Sequence, residues 1–387
     1  MMRSTSFHRL LMCALAFVAN QATAVVPPAP KLPADAYFLM DATTGQVLVN
    51  HNGDLSLPPA SLTKIMTSYV LAEEVDAGRA SLDDMIKVSR NAWSQNPIFN
   101  GSSLMWIEPG KPVSLADLER GVVISSGNDA SVAVAEHLAG TESSFVDVMN
   151  QLAAELGLNN TVYRNPHGLP HPEHRTTARD LATLSVALIN GHPEHYKIYK
   201  EQSFTYNGIK QYNRNSLLRS DATVDGLKTG YTSEAGYGLV ASAQREDMRL
   251  VSVVLGSASK RTRTFENSSL LNYGFRFFQN LRPLSAEVTL VEPRVWKGAA
   301  ESLHAGVLES VVLTVPRERT AADIKLKVDE QLEAPFFRGD VIGSVQVVRG
   351  GEVLFETPLL VLEDVPSGGF FKRLIDALIL WFQNLVG

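Results

Sequence analysis

Cysteine is almost absent from this chain of 387 residues, which contains a single one, Cys13. Cys13 lies inside a short apolar run at residues 10–19, close to the N-terminus. Removal of that segment would leave a protein without any thiol, which excludes a cysteine nucleophile, a disulfide and a cysteine-ligated metal. Because bulky Met12 precedes Cys13 and both come very early in the chain, a lipid-attachment site is not expected there.

Strong charge of either sign is also missing. The formal net charge is −6, and no block of like charge runs through the body of the chain. Nucleic acid is therefore excluded as a partner, since phosphate binding needs a concentrated basic surface. A hydrophobic content of 45% is ordinary for a globular protein, and the length allows two domains.

The apolar run at residues 10–19 is too short to span a bilayer as a permanent helix. It follows Arg3 and Arg9 and precedes the small residues "ATA" at 22–24. This three-part pattern is typical of a cleaved secretory signal. We therefore predict a signal peptide at residues 1–24; a retained membrane anchor is the alternative.

The remaining sequence divides into regions of different periodicity. Strands are predicted at residues 36–41, 46–50, 224–232 and, as a pair, 238–256. Helices are predicted at 58–75, 143–158, 175–190 and 264–279, and two more over 114–140, separated by a turn at 126–128. Strands at both ends with helices between them predict an α+β domain over residues 25–282, with an antiparallel sheet flanked by helices. Alternating β-branched segments at 283–366 predict a small all-β sandwich domain.

The last segment, residues 367–387, predicts an amphipathic helix after a hinge at the double glycine 368–369. Its polar side carries Lys372, Arg373, Asp376, Gln383 and Asn384, with Leu380 as the one apolar intruder. The apolar stretch is too short to span a bilayer, so we predict a helix lying in the membrane interface, with Trp381 at headgroup depth. Docking on the protein's own core or in a dimer is the alternative.

Ser61 and Lys64 open the predicted helix at residues 58–75. Positions i and i+3 share one helix face, so the hydroxyl and the amine can form a hydrogen bond. The surrounding apolar residues bury the amine, and burial lowers the pKa of a lysine because it disfavours the ammonium form. A neutral amine beside a hydroxyl is a general base for a serine nucleophile.

The S-x-x-K spacing is weak evidence on its own. A second copy, Ser257–Lys260, follows a strand and leads into a basic stretch, and we interpret it as a chance match. For Ser61 alone, an N-cap serine with a snorkelling lysine explains the pattern equally well.

Two further motifs follow Ser61 in order along the chain. Ser126, Gly127 and Asn128 lie in a turn between predicted helices, where the serine can donate a proton and the amide can hold a substrate carbonyl. Lys228, Thr229 and Gly230 lie at a strand, where they offer a positive charge, a hydroxyl for a carboxylate, and close access to the backbone. Taken alone, the first motif is explained more simply as a plain turn, and the second as a lysine at the end of a strand.

The histidines of the loop that precedes residue 175 suggest a metal site at first sight. His167, His171 and His174 are spaced by four and three residues, but they lie among prolines and glycines rather than on a helix. We therefore predict no metal here, and a loop that folds over the floor of the active site instead.

Together, S-x-x-K, S-x-N and K-T-G in this order resemble the active-site set of penicillin-binding proteins and serine β-lactamases. The segments "PPASLTKIMTSYV", "VISSGNDAS", "NPHGLPHPEHRTTARDLA" and "VDGLKTGYTSEAGYGLVASA" narrow the resemblance. They look like the low-molecular-mass penicillin-binding proteins that are D-alanyl-D-alanine carboxypeptidases of Gram-negative bacteria. That family implies a transpeptidase-like domain, a β-rich domain and a C-terminal amphipathic anchor.

The resemblance implies a serine-type hydrolase that removes the terminal D-alanine from peptidoglycan pentapeptides and binds penicillins covalently. It implies no cofactor, and a location on the periplasmic side of the bacterial inner membrane. Ser61 would be acylated, with Lys64 as the base and Ser126 and Lys228 as the proton shuttle. Asn128 would orient the donor amide, and Gly230 would let substrate approach the strand.

The resemblance extends to binding of the substrate's charges. Backbone N–H groups of Ser61 and Tyr231 would form the oxyanion hole. Thr229 would bind the terminal carboxylate, with Arg214 and Arg263 as weaker candidates. Tyr231 is a departure, because this position after K-T-G is often histidine in the family. Ser131 replaces a cysteine that some relatives carry.

Two other enzymes share these motifs. A class A β-lactamase needs a glutamate in an E-x-x-L-N pattern, and the corresponding loop offers only Glu173 without that pattern. A D,D-endopeptidase would share every motif. A non-enzymatic wall-binding protein is disfavoured by the three intact motifs.

Overall fold

The protein is described here from a computed structural model, which covers residues 26–317 and 321–386. The predicted signal peptide lies outside the described residues. In chain order, the strands of the first domain are β1 (Ala36–Asp41), β2 (Val47–His51), β3 (Met85–Lys87), β4 (Pro112–Ser114), β5 (Ser203–Tyr206), β6 (Ile209–Tyr212), β7 (Val224–Thr232), β8 (Gly236–Arg245) and β9 (Met248–Ser257).

The helices of this domain include three very short ones. In chain order they are α1 (Lys64–Asp76), α2 (Leu115–Arg120), α3 (Asn128–Ala139), α4 (Glu142–Glu155), α5 (Ala178–Gly191), α6 (Pro193–Tyr196), α7 (Leu217–Ser220) and α8 (Lys260–Phe277). The predicted helix at 264–279 thus begins earlier, where the Ser259 hydroxyl accepts a hydrogen bond from the Thr262 N–H at 3.0 Å.

A five-stranded antiparallel sheet forms the centre of the domain, in the order β2-β1-β9-β8-β7. β9 is buried along nearly its whole length, because helices cover both faces of the sheet. α5 packs against β9 and β1 on one face, and α8 packs against β9 and β8 on the other. The predicted α+β architecture is confirmed, and β7 is an edge strand with the predicted bounds, 224–232.

α1 runs through the larger of the two cores of this domain. Its first nine residues are all buried, and it contacts α3, α4, α5 and β7. A helix that is apolar on nearly every side is stable only when it is enclosed. Every polar side chain within residues 64–72, including that of Lys64, is therefore buried.

The second domain consists of two small antiparallel sheets around a core of its own. Its strands are β10 (Phe278–Leu284), β11 (Ala305–Gly306), β12 (Val311–Pro316), β13 (Asp323–Val328), β14 (Val341–Arg349) and β15 (Glu352–Val361). β10 pairs with β12, and the other sheet has the order β11-β15-β14-β13. The prediction of a C-terminal β domain is confirmed, although its predicted limit at residue 282 falls inside β10.

The chain ends in the predicted amphipathic helix, α9 (Phe370–Val386). Within residues 26–317 and 321–386, no helix is long and apolar enough to cross a membrane.

Candidate active site

Ser61 lies in a single 3₁₀ turn, Ala60–Thr63, which leads directly into α1. The sequence predicted Ser61 inside the start of an α-helix, whereas the α-helix itself begins at Lys64. The three-residue spacing still brings the side chains together, with Lys64 Nζ at 3.4 Å from Ser61 Oγ. Ala60 has a φ of 48°, so the backbone just before Ser61 adopts a left-handed conformation that a residue with a Cβ seldom takes.

Lys64 is fully buried. Its ammonium nitrogen lies 2.7 Å from Asn128 Oδ1 and 2.5 Å from the backbone oxygen of His167. Burial and, after it, the positive charge of Arg214 lower the pKa of Lys64 to about 7, against the opposing charge of Asp129. A substantial fraction of this amine is therefore neutral near neutral pH.

A second lysine and serine face this pair across the cleft. Ser126 follows a π-helical turn, Gly121–Ser125, and has a left-handed φ of 59° just before Gly127 and α3. Lys228 on β7 donates to Ser126 Oγ at 2.9 Å. Burial holds the pKa of Lys228 well below its ordinary value, because it disfavours the ammonium form. The positive charge of Lys64 adds to this effect, since two ammonium groups repel each other.

Asn128 connects the first pair to the cleft wall. It begins α3, accepts from Lys64 through Oδ1 and donates through Nδ2 to Ser102 Oγ at 2.8 Å. Because both ends of the amide are engaged, its orientation is determined by the surrounding hydrogen bonds.

These groups open onto a cleft of about 910 Å³. The predicted site residues that line it are Ser61, Ser126, Asn128, Arg214, Thr229, Gly230, Tyr231 and Arg263. Lys64 and Lys228 lie buried beneath this surface. The structure thus brings every site residue predicted from the sequence into one place.

β7 forms one wall of the cleft and passes close to the turn that carries Ser61. A Cβ added to Gly230 would lie 3.1 Å from the backbone oxygen of Pro59 and 3.1 Å from Leu62 Cγ. A side chain at this position would therefore force Leu62 or the Pro59 backbone to shift by a few tenths of an ångström, so the close approach favours glycine.

Arg263 and Tyr231 lie at the same wall. Buried Arg263 donates through Nη1 to the backbone oxygens of Gly230 and Gly238, at 2.9 and 3.1 Å. Its guanidinium lies 5.6 Å from the ring centre of Tyr237, which stacks on Tyr231 at 4.2 Å. Tyr231 itself remains 53% exposed. Its ring is thus placed by stacking.

Arg214 comes from the segment between β6 and α7 and donates to Ser103 Oγ at 2.5 Å. The loop that carries Ser103 is held by Asp129, a buried residue that the sequence reasoning did not single out. The carboxylate of Asp129 accepts the backbone N–H groups of Met105 and Trp106, both at 2.8 Å. The sequence feature that could have identified Asp129 is its position directly after S-G-N, in the first turn of a helix.

Residues 163–174 form a covering loop over α1, closed by the bridge between Val162 and Arg175. The backbone oxygens of Pro166 and His167 accept from Thr67 and Lys64, both at 2.5 Å. His174 Nε2 lies 3.0 Å from Thr63 Oγ1. The sequence predicted a loop over the floor of the active site, and His167 and Gly168 of this loop line the cleft. The sequence reasoning missed its partners Thr63 and Thr67, which are four residues apart.

The other S-x-x-K copy has a structural role. The Ser257 hydroxyl is buried and donates to the carboxylate of Glu266, while Lys260 starts α8. In the part of the chain that the structure describes, no group of three or more His, Cys, Asp or Glu residues is arranged to hold a metal ion.

Two family models match the chain. Residues 21–259 match D-alanyl-D-alanine carboxypeptidase, and residues 278–367 match the C-terminal domain of penicillin-binding protein 5. D-alanyl-D-alanine carboxypeptidase DacC of Escherichia coli is 45% identical over 377 residues, covering 96% of this chain and 93% of the relative.

Solved structures show the same likeness. Penicillin-binding protein 5 from Haemophilus influenzae is 40% identical with a TM-score of 0.81, covering 88% of this chain and all of the other. Penicillin-binding protein D2 from Listeria monocytogenes, in its ampicillin-bound form, is 31% identical with a TM-score of 0.58 over 64% of this chain and all of the other.

Proposed function

The chain belongs to the D-alanyl-D-alanine carboxypeptidase family of serine hydrolases, and on this premise we propose how its cleft removes a terminal D-alanine from a peptidoglycan pentapeptide. Ser61 is the nucleophile and neutral Lys64 is its base. The observation that carries this assignment is the fully buried amine, with a pKa near neutrality, 3.4 Å from the only hydroxyl of the 3₁₀ turn that faces the cleft.

Acylation begins when Lys64 Nζ takes the proton of Ser61 Oγ, and the oxygen attacks the carbonyl carbon of the penultimate D-alanine. The negative charge that develops on the carbonyl oxygen is held by the backbone N–H groups of Ser61 and Tyr231. Asn128 orients the donor amide through its fixed side-chain amide.

Loss of the terminal D-alanine needs a proton on its nitrogen. Ser126 supplies it, and Lys228 replenishes Ser126 across the 2.9 Å hydrogen bond. Because the pKa of Lys228 is lowered, it gives up a proton more readily than an exposed lysine. Water then attacks the acyl carbonyl, its proton passes through Ser126 to Lys228, and Lys64 returns its proton to Ser61 Oγ. The shortened peptide leaves, and both lysines regain their starting states.

The terminal carboxylate binds at the β7 wall. Thr229 offers its hydroxyl, and Arg214 and Arg263 supply positive charge at the cleft. Arg263 also supports the wall, since it donates to two backbone oxygens of β7 and β8. Gly230 leaves room for the substrate to lie along the strand. A penicillin presents the same carbonyl and carboxylate, so it acylates Ser61 in the same way.

Labelling with a fluorescent penicillin tests the nucleophile. Ser61→Ala should abolish the covalent label, while Ser257→Ala, at the second S-x-x-K copy, should retain it in folded protein. Mass spectrometry of the intact chain should show one adduct, mapped to the peptide that contains Ser61. Persistent labelling of folded Ser61→Ala would show that another residue is acylated.

We also infer the cellular placement of the enzyme. Residues 1–24 direct export to the periplasm, and α9 holds the enzyme at the inner-membrane surface. The amphipathic pattern and the exposed apolar side chains of α9 support this placement.

A further inference from the structure

Part of the polar side of α9 is buried rather than exposed to solvent. Lys372, Asp376 and Leu380 are spaced by four residues and form one stripe along the helix. Lys372 is half-buried, Asp376 is 3% exposed and Leu380 is 7% exposed. This docking stripe explains why an apolar Leu380 interrupts the polar side, because the residue is buried in the folded protein.

Asp376 connects the helix to the β domain. Its Oδ2 accepts the backbone N–H of Lys297 at 2.7 Å. Lys372 Nζ lies 3.9 Å from this carboxylate and 3.7 Å from Glu301. A buried carboxylate without such partners is strongly unfavourable, so separation of the helix from residue 297 has to expose Asp376 to water.

The segment before α9 is not the flexible hinge that its glycines predicted. The backbone N–H of Gly368 donates to Lys297 O, and that of Ala299 donates to Pro366 O, both at 2.8 Å. A Cβ at Gly368 would lie 2.6 Å from the backbone oxygen of Gly298. Gly368 is required for this close contact between two segments, which fixes the direction in which α9 leaves the β domain.

The opposite side of α9 is an exposed apolar surface. Its side chains are between 38% and 78% exposed, and they are Phe370, Phe371, Leu374, Ile375, Leu378, Ile379, Trp381 and Phe382. A continuous patch of this kind on a soluble protein marks an interaction surface. Its aromatic content, and the cations Lys372 and Arg373 beside it, suit a lipid surface with anionic headgroups.

We propose that α9 stays docked on the β domain through Lys372, Asp376 and Leu380 while its apolar side enters a lipid surface. The enzyme is then held over the membrane in one orientation, rather than on a flexible tether. This inference rests on the proposed membrane anchor and adds the rigidity of the attachment, with Asp376 as the residue that maintains it.

The near-absence of cysteine makes a distance measurement direct. In a chain carrying Cys13→Ser, spin labels are placed at Glu309→Cys in the β domain and Gln383→Cys on α9, both exposed positions. Double electron–electron resonance then gives the distribution of distances between the two labels, in solution and on vesicles of phosphatidylethanolamine and phosphatidylglycerol. We expect one narrow distribution with the same mean in both conditions.

Variants at position 376 test whether Asp376 maintains the rigid attachment of α9. Asp376→Ala should lose the narrow distribution while it still sediments with vesicles, and Asp376→Asn should keep it because the amide oxygen can still accept from Lys297. A narrow distribution in Asp376→Ala would overturn the assignment to Asp376.

Two other outcomes overturn the proposal in distinguishable ways. If the unmodified helix binds vesicles but its distance shifts or broadens there, the anchor stands and the rigid attachment is wrong. If the chain fails to sediment with vesicles and instead forms dimers that bury the apolar side of α9, a lipid surface is the wrong partner. Penicillin labelling of Ser61 would be unaffected, so the assignment of the nucleophile would stand.

Discussion

Lys64, the proposed base, shows how a buried environment can make an ordinary side chain able to accept a proton. An exposed lysine is protonated at neutral pH and cannot accept a proton from serine. Here the apolar helix removes water, and three oxygens at Ser61, Asn128 and His167 hold the nitrogen in place. Burial supplies the basicity and the hydrogen bonds supply the position, so both depend on the surrounding fold.

The pH dependence of acylation follows from the lowered pKa of Lys64. If the neutral amine is the base, as we propose, a pKa of about 7 means that the rate of acylation by penicillin should rise with pH through about 7 and then level off. Arg214→Ala removes a positive charge that lowers this pKa, so the rise should move to higher pH. The measurement is the second-order rate constant of labelling across pH.

Arg261→Ala is the matched control for this shift, because it removes an exposed arginine from the first turn of α8. Its profile should have an unchanged midpoint. A midpoint in Arg214→Ala that equals that of the unmodified enzyme would show that Arg214 does not act on the base.

At the scale of elements, the site lies where the covering loop, α1 and β7 meet. The loop supplies backbone oxygens to α1, and β7 approaches the 3₁₀ turn at Gly230. Gly168 is the tightest of these contacts: its φ is +86°, and an added Cβ would lie 1.8 Å from the backbone oxygen of Ala60. The loop can therefore close over α1 only with glycine at this position.

Gly168→Ala should reduce the acylation rate by roughly tenfold or more, because the loop must shift and carry the His167 oxygen away from Lys64. Gly157→Ala is its control, since Gly157 also has a left-handed φ of +70° but open space around an added Cβ. It should lower the free energy of unfolding by about 1 kcal/mol and leave acylation unchanged. Equal acylation in both variants would show that closure of the loop does not position the base.

At the scale of the whole molecule, a catalytic domain and a β domain are joined by side-chain contacts. Asn280 on β10 donates to Asp41 at 3.0 Å, and Thr44 and Thr314 share a hydrogen bond of 2.5 Å. These contacts connect β1 and the turn after it to the sheet formed by β10 and β12. The β domain in turn carries α9 through Asp376 and Gly368. Catalysis and the proposed membrane attachment thus belong to different parts of the molecule.

Removal of α9 should separate these two roles. A chain ending at residue 369 keeps the backbone bonds of Pro366 and Gly368, so it should fold, retain D-alanine release and move from the membrane fraction to the soluble fraction. A full-length chain with Ile375→Asp and Leu378→Asp should behave likewise, because it loses the apolar surface but not the helix. Sedimentation of the shortened chain with membranes would contradict the anchor.

Much of this protein could be predicted from the sequence because its signals are local. Strand alternation, helix periodicity and turn residues depend on neighbours in the chain, and they predicted the sheet, the β domain and α9. The three motifs predicted the groups that line the cleft, since each motif lies within a few residues.

Tertiary structure decided what depends on contacts between distant segments. The covering loop, the support of the cleft wall by Asp129, and the start of α1 after a 3₁₀ turn could not be read from periodicity. Gly368 shows the same limit most clearly: glycine permits both a hinge and a close contact, and only the neighbouring segment at 297–299 determines which one forms. Leu380 likewise looks misplaced on a polar face in the sequence, but it is buried in the folded protein.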